Sequence, residues 1–522
     1  MLRVIVRTMS SVPAQPITLN GNTLTAKKLD SIRKGSPIVI DPCSKGKVDA
    51  SRKAVEFFVN EQLTVYGITT GFGSNVDTMI NPTDLSRLQR CLTASHATAM
   101  GPLLKPETVK AMAALRVNSL LRGHSGIRFG TIEAIVTLVN NNTLPPIGEK
   151  GSVGASGDLA PLAHLANAIQ GVGLLYNPEL QRYEDAEKVF KDKQMTPVEL
   201  EAKEGLALIN GTQLITAIGS EALTTAEHIF KAVLPTVAIS SIALKENPAA
   251  FSTLIHEEAK PHRGQIYVAR VLRNFLTESK HKAAELQDPY SGRCLAQILG
   301  PSFQIFPLAK EMLETEFNTS NDNPLINSGK MEAISGGNFH GEFPAKALDL
   351  LKLSLVEIGN VSTARQRRAV DKKVNRGLPA YLTAGDPGIN SGVMTLEIGS
   401  TSLVMENKQL VYPSSAQTES TGAGQEDHVS NGPVAAKTAL EMANNTAIIL
   451  ANELKMGCQA IHIRQSEDPD FRLPKSLQPV YEQVNEISPP LEEDRFFQPE
   501  MEKLVEAMVK DSLLFPEMPD FD

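Results

Sequence analysis

The chain has 522 residues, 42% hydrophobic and 21% charged, with a net charge of −8. That length predicts several domains, and the composition is that of a globular chain able to bury sizeable cores. The acidic balance argues against nucleic acid or an anionic membrane as the main partner, because either favours a basic patch.

No apolar run approaches the ~18 residues that a membrane span requires. The four cysteines, Cys43, Cys91, Cys294 and Cys458, lie far apart without a CxxC pair. That usage suits a reducing compartment and a cytoplasmic location. Ten scattered histidines argue against a metal cluster. No P-loop, HExxH or GxSxG is present. Residues 1–20 read as an N-terminal extension, basic and free of acids, in preference to a transit peptide.

Taken in order, Pro37–Ile40 predicts a strand and Val48–Gln62 a helix, a small α+β portion. Beyond Asp84 the pattern turns helical. Leu85, Leu88 and Leu92 share a face that His96 extends, and Gly101-Pro102 ends it. Lys105–Arg122 and Gly130–Asn140 are further helices. From Glu204 to Glu246 the pattern is helical, interrupted at Gly211, Gly219 and Pro235. In Pro344–Arg368 the residues Leu348, Leu351, Leu355 and Ile358 step by three, four and three. Leu440, Ala443, Ala447, Leu450 and Leu454 do the same in Val434–Met456. Such narrow seams predict antiparallel long-helix bundles with apolar surface left for oligomerisation.

The most informative run is Gly151-Ser-Val-Gly-Ala-Ser-Gly-Asp-Leu-Ala-Pro-Leu162. On its own it reads as a Gly/Ser-rich turn before an apolar helix. It takes on another meaning beside seven further segments. These are Tyr66–Gly73, Glu204–Gln213, Pro261–Ile266, Gln287–Cys294, Asn321–Pro324, Ser335–Glu342 and Gln425–Ser430. Together they resemble the aromatic amino-acid ammonia-lyase family, over about Ile40 to Gln465. Within that family Ser95-His96, Asn338-Phe-His-Gly341 and Gln425-Glu-Asp-His428 resemble its histidine-specific branch. The chain departs from the family pattern at Gly292, at Asn431-Gly-Pro433 and around Gly359–Arg376.

The resemblance implies a mainly α fold, a long-helix bundle of the ammonia-lyase/fumarase-like type. It implies an electrophile, 4-methylideneimidazol-5-one (MIO), made from Ala155, Ser156 and Gly157, with no external cofactor and no metal. It implies Tyr66 on a glycine-rich lid as the base at the β-carbon, with Glu426 a second candidate for that role. Arg293 would clamp the substrate carboxylate through its guanidinium fork. Tyr290, three residues earlier, would share its helical face and position the amine or assist proton transfer. Asn210 would orient the MIO carbonyl or the substrate carboxylate, and Gln287 would hydrogen-bond nearby. His96, Glu426 and Gln425 would read the substrate ring, with Phe339 as a wall. Asp158 reads as an aid to ring formation or as a helix N-cap.

The expected organisation is an MIO-bearing domain over 21–215, a helix bundle over 216–470 and a C-terminal helical segment over 471–522. The assembly implied is a homotetramer whose sites draw on three subunits. The expected activity is deamination of L-histidine to trans-urocanate. Alternatives are a phenylalanine or tyrosine ammonia-lyase, an aminomutase, or a scaffold that has lost the chemistry. That last class predicts broken site residues, and here they are intact.

Overall fold

The structure, a computed structural model, describes residues 15–279, 281–519 and 521. Most of the expected N-terminal extension lies outside the described residues. The chain forms two compact units. The first runs to Ala217 and takes in Glu314–Gly341 and Thr418–Pro433. The second comprises Ile218–Leu313, Glu342–Gln417 and the chain from Val434 onward. Two later segments thus return to the first unit.

The fold is mainly α, as expected. Among the described residues its strands form four two-stranded sheets, of which only Ile17–Leu19 with Ile38–Ile40 is parallel. In the first unit, Pro106–Leu120 is buried on all sides from Thr108 onward, including Lys110, Arg116 and Asn118. A helix apolar or paired all round belongs at the centre of a core. It packs against Ala26–Arg33 and Phe129–Asn140. Three other helices, Leu85–His96, Leu159–Ile169 and Glu204–Ile209, pack on one another. The last begins after Lys203, whose backbone is left-handed and gives no side-chain cap. Gln89 supplies the cap instead, its Oε1 accepting from the Gly205 and Leu206 N–H groups.

The helical pattern over Glu204–Glu246 resolves into Glu204–Ile209 and Gln213–Ala243, broken at Gly211 but not at Gly219 or Pro235. Pro235 lacks an N–H, so the Lys231 carbonyl loses its helical partner. Lys231 is exposed, and water can serve that carbonyl. A 31-residue helix tolerates one such loss because its flanks are buried.

In the second unit, Glu342–Val370 packs on Met394–Leu410. Its stepping residues Leu348, Leu351, Leu355 and Ile358 are all buried. The helix Gly432–Glu467 departs from a narrow seam. Leu440 is only half-buried, whereas 451–461 is buried on every side. Polar residues there are enclosed because partners reach them from distant segments. The Arg365 guanidinium donates to Glu453 at 2.8 Å and Glu246 at 3.2 Å, and also to Ser240 and Ser241 at 2.7 and 3.0 Å. All three charged groups are almost wholly buried. Removing the cation would leave two carboxylates uncompensated. Arg365→Met is therefore expected to lose about 3–5 kcal/mol, read as a lowered urea midpoint. A midpoint within error of wild type would contradict this account of the network.

Candidate active site

A cavity of about 820 Å³ opens in the first unit. Its lining gathers Tyr66, His96, Ala155, Ser156, Asn210, Phe339, Gln425 and Glu426 from six separated stretches. The three mutually packed helices supply the frame. His96 ends the first, Ser156 precedes the second and Asn210 follows the third.

The Ala155-Ser156-Gly157 turn is held on three sides. Asn210 Nδ2 donates to the Ser156 carbonyl at 2.7 Å. The Ser156 hydroxyl donates to the Glu426 carboxylate. The other Glu426 oxygen accepts from Thr421 Oγ1 at 2.8 Å. Beneath the turn, the Asp158 N–H donates to the Gly211 carbonyl at 2.6 Å. Gly157 has φ +72°, and a Cβ there would lie 2.4 Å from that same carbonyl. Only glycine fits such a conformation and such an approach. Asn210 Oδ1 is buried with no hydrogen-bond partner among the described residues. An orphaned acceptor beside a compressed Gly-containing turn fits a peptide segment that rearranges into a ring.

Asp158 caps a different helix from the one it precedes. It sits at the N-cap position of Leu159–Ile169 but makes no side-chain bond to that helix. Its carboxyl instead accepts from the Leu214 and Ile215 N–H groups at 2.9 and 3.0 Å, the first turn of Gln213–Ala243. Ser152 Oγ donates at 2.9 Å. Burial pushes the group from 3.8 up to about 7, despite those donors.

In the Tyr66–Gly73 loop, the Gly73 N–H donates to the Tyr66 phenol oxygen at 3.3 Å. The His96 Nδ1 lies 2.8 Å from the Leu92 carbonyl. A carbonyl can only accept, so Nδ1 carries a proton. Phe339 is half-buried and Gln425 exposed.

Gln287, Tyr290 and Arg293 belong to the second unit and are not in this lining. Tyr290 is 66% exposed and its neighbour Leu286 is 96% exposed. The Arg293 guanidinium lies 4.7 Å from the Tyr290 ring centre, and its Nε donates to the Asp288 carbonyl. The cavity also contains residues to which the sequence reading gave no role. His340 Nε2 lies 3.2 Å from the His428 carbonyl and 3.4 Å from His428 Nδ1. Asn323 lines the cavity and accepts from the Gly336 N–H. Each sits inside a motif that the sequence displays, but side-chain pairing between such motifs is not visible there.

The chain belongs to the aromatic amino acid lyase family: a family model of that description matches residues 24–486. Members are carbon–nitrogen lyases that generally depend on the MIO group. Among individual relatives, histidine ammonia-lyase from Bos taurus is 39% identical over 95% of this chain and 76% of its own length. Histidine ammonia-lyase from an Enterobacter species is 39% identical over 94% of this chain and 97% of its own. The crystal structure of histidine ammonia-lyase from Trypanosoma cruzi superposes with a TM-score of 0.87. It is 37% identical, and the match covers 97% and 99% of the two chains.

The Asp158 shift has a pH consequence. Between about 3.8 and about 7 the folded chain keeps a proton that the unfolded chain has released. The unfolded state then binds fewer protons, so this group's contribution falls as pH rises through that window. Asp158→Asn keeps an acceptor for Leu214 and Ile215 but cannot ionise. It should flatten the urea midpoint across that window relative to wild type. Identical pH profiles for the two proteins would remove Asp158 from the explanation.

Proposed function

We propose that this protein deaminates L-histidine without oxidation, giving trans-urocanate and ammonia, the first step of histidine breakdown. The observation that carries the reading is the Ser156 hydroxyl held against Glu426 in a cavity shared with His96. That arrangement joins an electrophile-forming turn to groups suited to an imidazole.

MIO would arise from Ala155, Ser156 and Gly157 in two dehydrations. The Gly157 nitrogen bonds to the Ala155 carbonyl carbon, and that oxygen leaves as water with the amide hydrogens of Ser156 and Gly157. The second water takes the Ser156 Cα hydrogen and hydroxyl. The group supplies an electrophile that captures the substrate amine and makes ammonia a better leaving group. Asn210 holds the Ser156 carbonyl, and Asp158 ties the turn to the helix Gln213–Ala243.

Tyr66 acts as phenolate, removes the β-proton and becomes the neutral phenol; the Gly73 N–H points at the oxygen that carries the negative charge before the transfer. Glu426 accepts the substrate imidazole N–H, while His96 Nε2 offers a second acceptor and Phe339 walls the ring. Gln425 borders the same end of the cavity. A phenyl substrate would leave the half-buried Glu426 and His96 without the partner that an imidazole supplies. Glu426 is also placed to share the base role.

Arg293 clamps the substrate carboxylate, with Tyr290 and Gln287 beside it. Their exposure supports a site completed by a neighbouring copy in a homotetramer. The enzyme is assigned to the cytoplasm; no described helix is long and apolar enough to cross a membrane.

Incubation with L-histidine, L-tyrosine and L-phenylalanine, followed by the near-ultraviolet absorbance of the conjugated acid, tests the substrate. Histidine should be the preferred substrate, and Ser156→Ala should abolish turnover while leaving the oligomer intact. Faster turnover of phenylalanine would overturn the assignment. Shared sites have their own test. Tyr66→Phe and Arg293→Ala subunits, each inactive alone, should regain activity when co-assembled. Co-assembled oligomers that stay inactive would place both residues in a site made by one chain.

A further inference from the structure

Arg116 lies outside the cavity lining and has no part in the chemistry above, yet it is among the largest fully buried side chains. It projects from Pro106–Leu120 onto the end of Glu204–Ile209. Its Nε and Nη2 both donate to the Ala207 carbonyl, and Nη1 donates to the Asn210 carbonyl at 3.1 Å. Nη1 also reaches Gln213 Oε1 at 3.1 Å and Asn321 Oδ1 at 3.3 Å. Asn321 Oδ1 in turn accepts from Ser119 and Gln213. The fork thus closes the last carbonyls of one short helix and reaches the first residue of the next. A cation at a helix C-terminus is favoured by the dipole, and here both helix and cation are out of water.

The consequence falls on the bond between Asn210 and Gly211. A Cβ on Gly211 would lie 2.3 Å from Arg116 Nη1, so backbone and guanidinium are in direct apposition. Gly157 and the Asp158 N–H also lie directly against Gly211. The Asn210 side chain leaves from the same residue to hold Ser156. A chain of contacts therefore runs from Arg116 through Asn210 and Gly211 to the Ser156-Gly157 turn, with no solvent gap. We propose that Arg116 is a positioning residue for ring formation: it sets the Asn210-Gly211 backbone that presses Gly157 toward Ala155. This rests on the MIO reading and deepens it. Arg116 gives up no proton and forms no bond. Its work is finished once the ring exists.

Lysine at 116 keeps the charge but offers a point donor, which cannot grip Ala207 and Asn210 together in a fixed fork. Alanine at 211 keeps the arginine and pushes Nη1 away from Asn210. Leu115→Ala, on the same helix and equally buried, weakens the core without touching the fork. Full-length variants would be purified, checked by circular dichroism and gel filtration, denatured, and weighed by intact-mass spectrometry. Wild type and Leu115→Ala should show the mass deficit of two waters. Folded Arg116→Lys and Gly211→Ala should lack it in most chains, and should lack the ring's near-ultraviolet absorbance. A full deficit in either folded variant, formed at the wild-type rate, overturns the proposal. Collapse of both variants overturns it too, in favour of a purely structural arginine. Absence of the deficit from wild type would instead refute the MIO reading itself.

Discussion

The contact on which the site depends is the meeting of two glycine backbones, Gly157 and Gly211. A side chain on either would occupy space already taken, by the Gly211 carbonyl in one case and by Arg116 in the other. Through this contact the electrophile-forming turn is fixed to the junction between Glu204–Ile209 and Gln213–Ala243. Because the Asp158 carboxyl also caps the second of these helices, the turn cannot drift without undoing a helix start. Close packing of this kind transmits small displacements, since interiors have little free volume to absorb them.

Around that contact the buried charges follow a common rule. Arg116 answers carbonyls and carboxamides, Lys203 pairs with Asp322 at 2.8 Å, and Arg365 joins Glu246 and Glu453. None of these groups is stable inside a protein alone. Burial pushes Arg116 down to about 10, with Asp322 opposing that shift, and the group stays charged near neutrality. Asp158 differs in facing two backbone N–H donors with Glu316 as a like charge nearby, and burial dominates there. The unit thus holds a buried cation on the Asn210 carbonyl and a readily protonated acid on the Leu214 and Ile215 N–H groups, a few residues further along the same segment.

The structure also divides the predicted site residues into two groups. Tyr66, His96, Ala155, Ser156, Asn210, Phe339, Gln425 and Glu426 share one cavity. Gln287, Tyr290 and Arg293 belong to the other unit and are exposed or half-buried. Spacing along a chain carries no information on which copy completes which cavity. The return of Glu314–Gly341 and Thr418–Pro433 to the first unit was equally invisible, because periodicity reports which face of a helix is buried and not against what.

By itself the sequence determined the local physics and the family. The glycines of the turn, the helical stepping of Leu348 to Ile358, and the eight ordered motifs are all legible there. They are short-range patterns, and helix periodicity and turn chemistry are short-range effects. Only the tertiary structure decided that Asp158 caps a distant helix rather than its own. It also decided that Pro235 does not break its helix, that His340 meets His428, and that Arg116 grips the end of Glu204–Ile209. The reason is the same in each case. A buried polar group takes the partner that packing brings to it, and that partner lies anywhere in the chain.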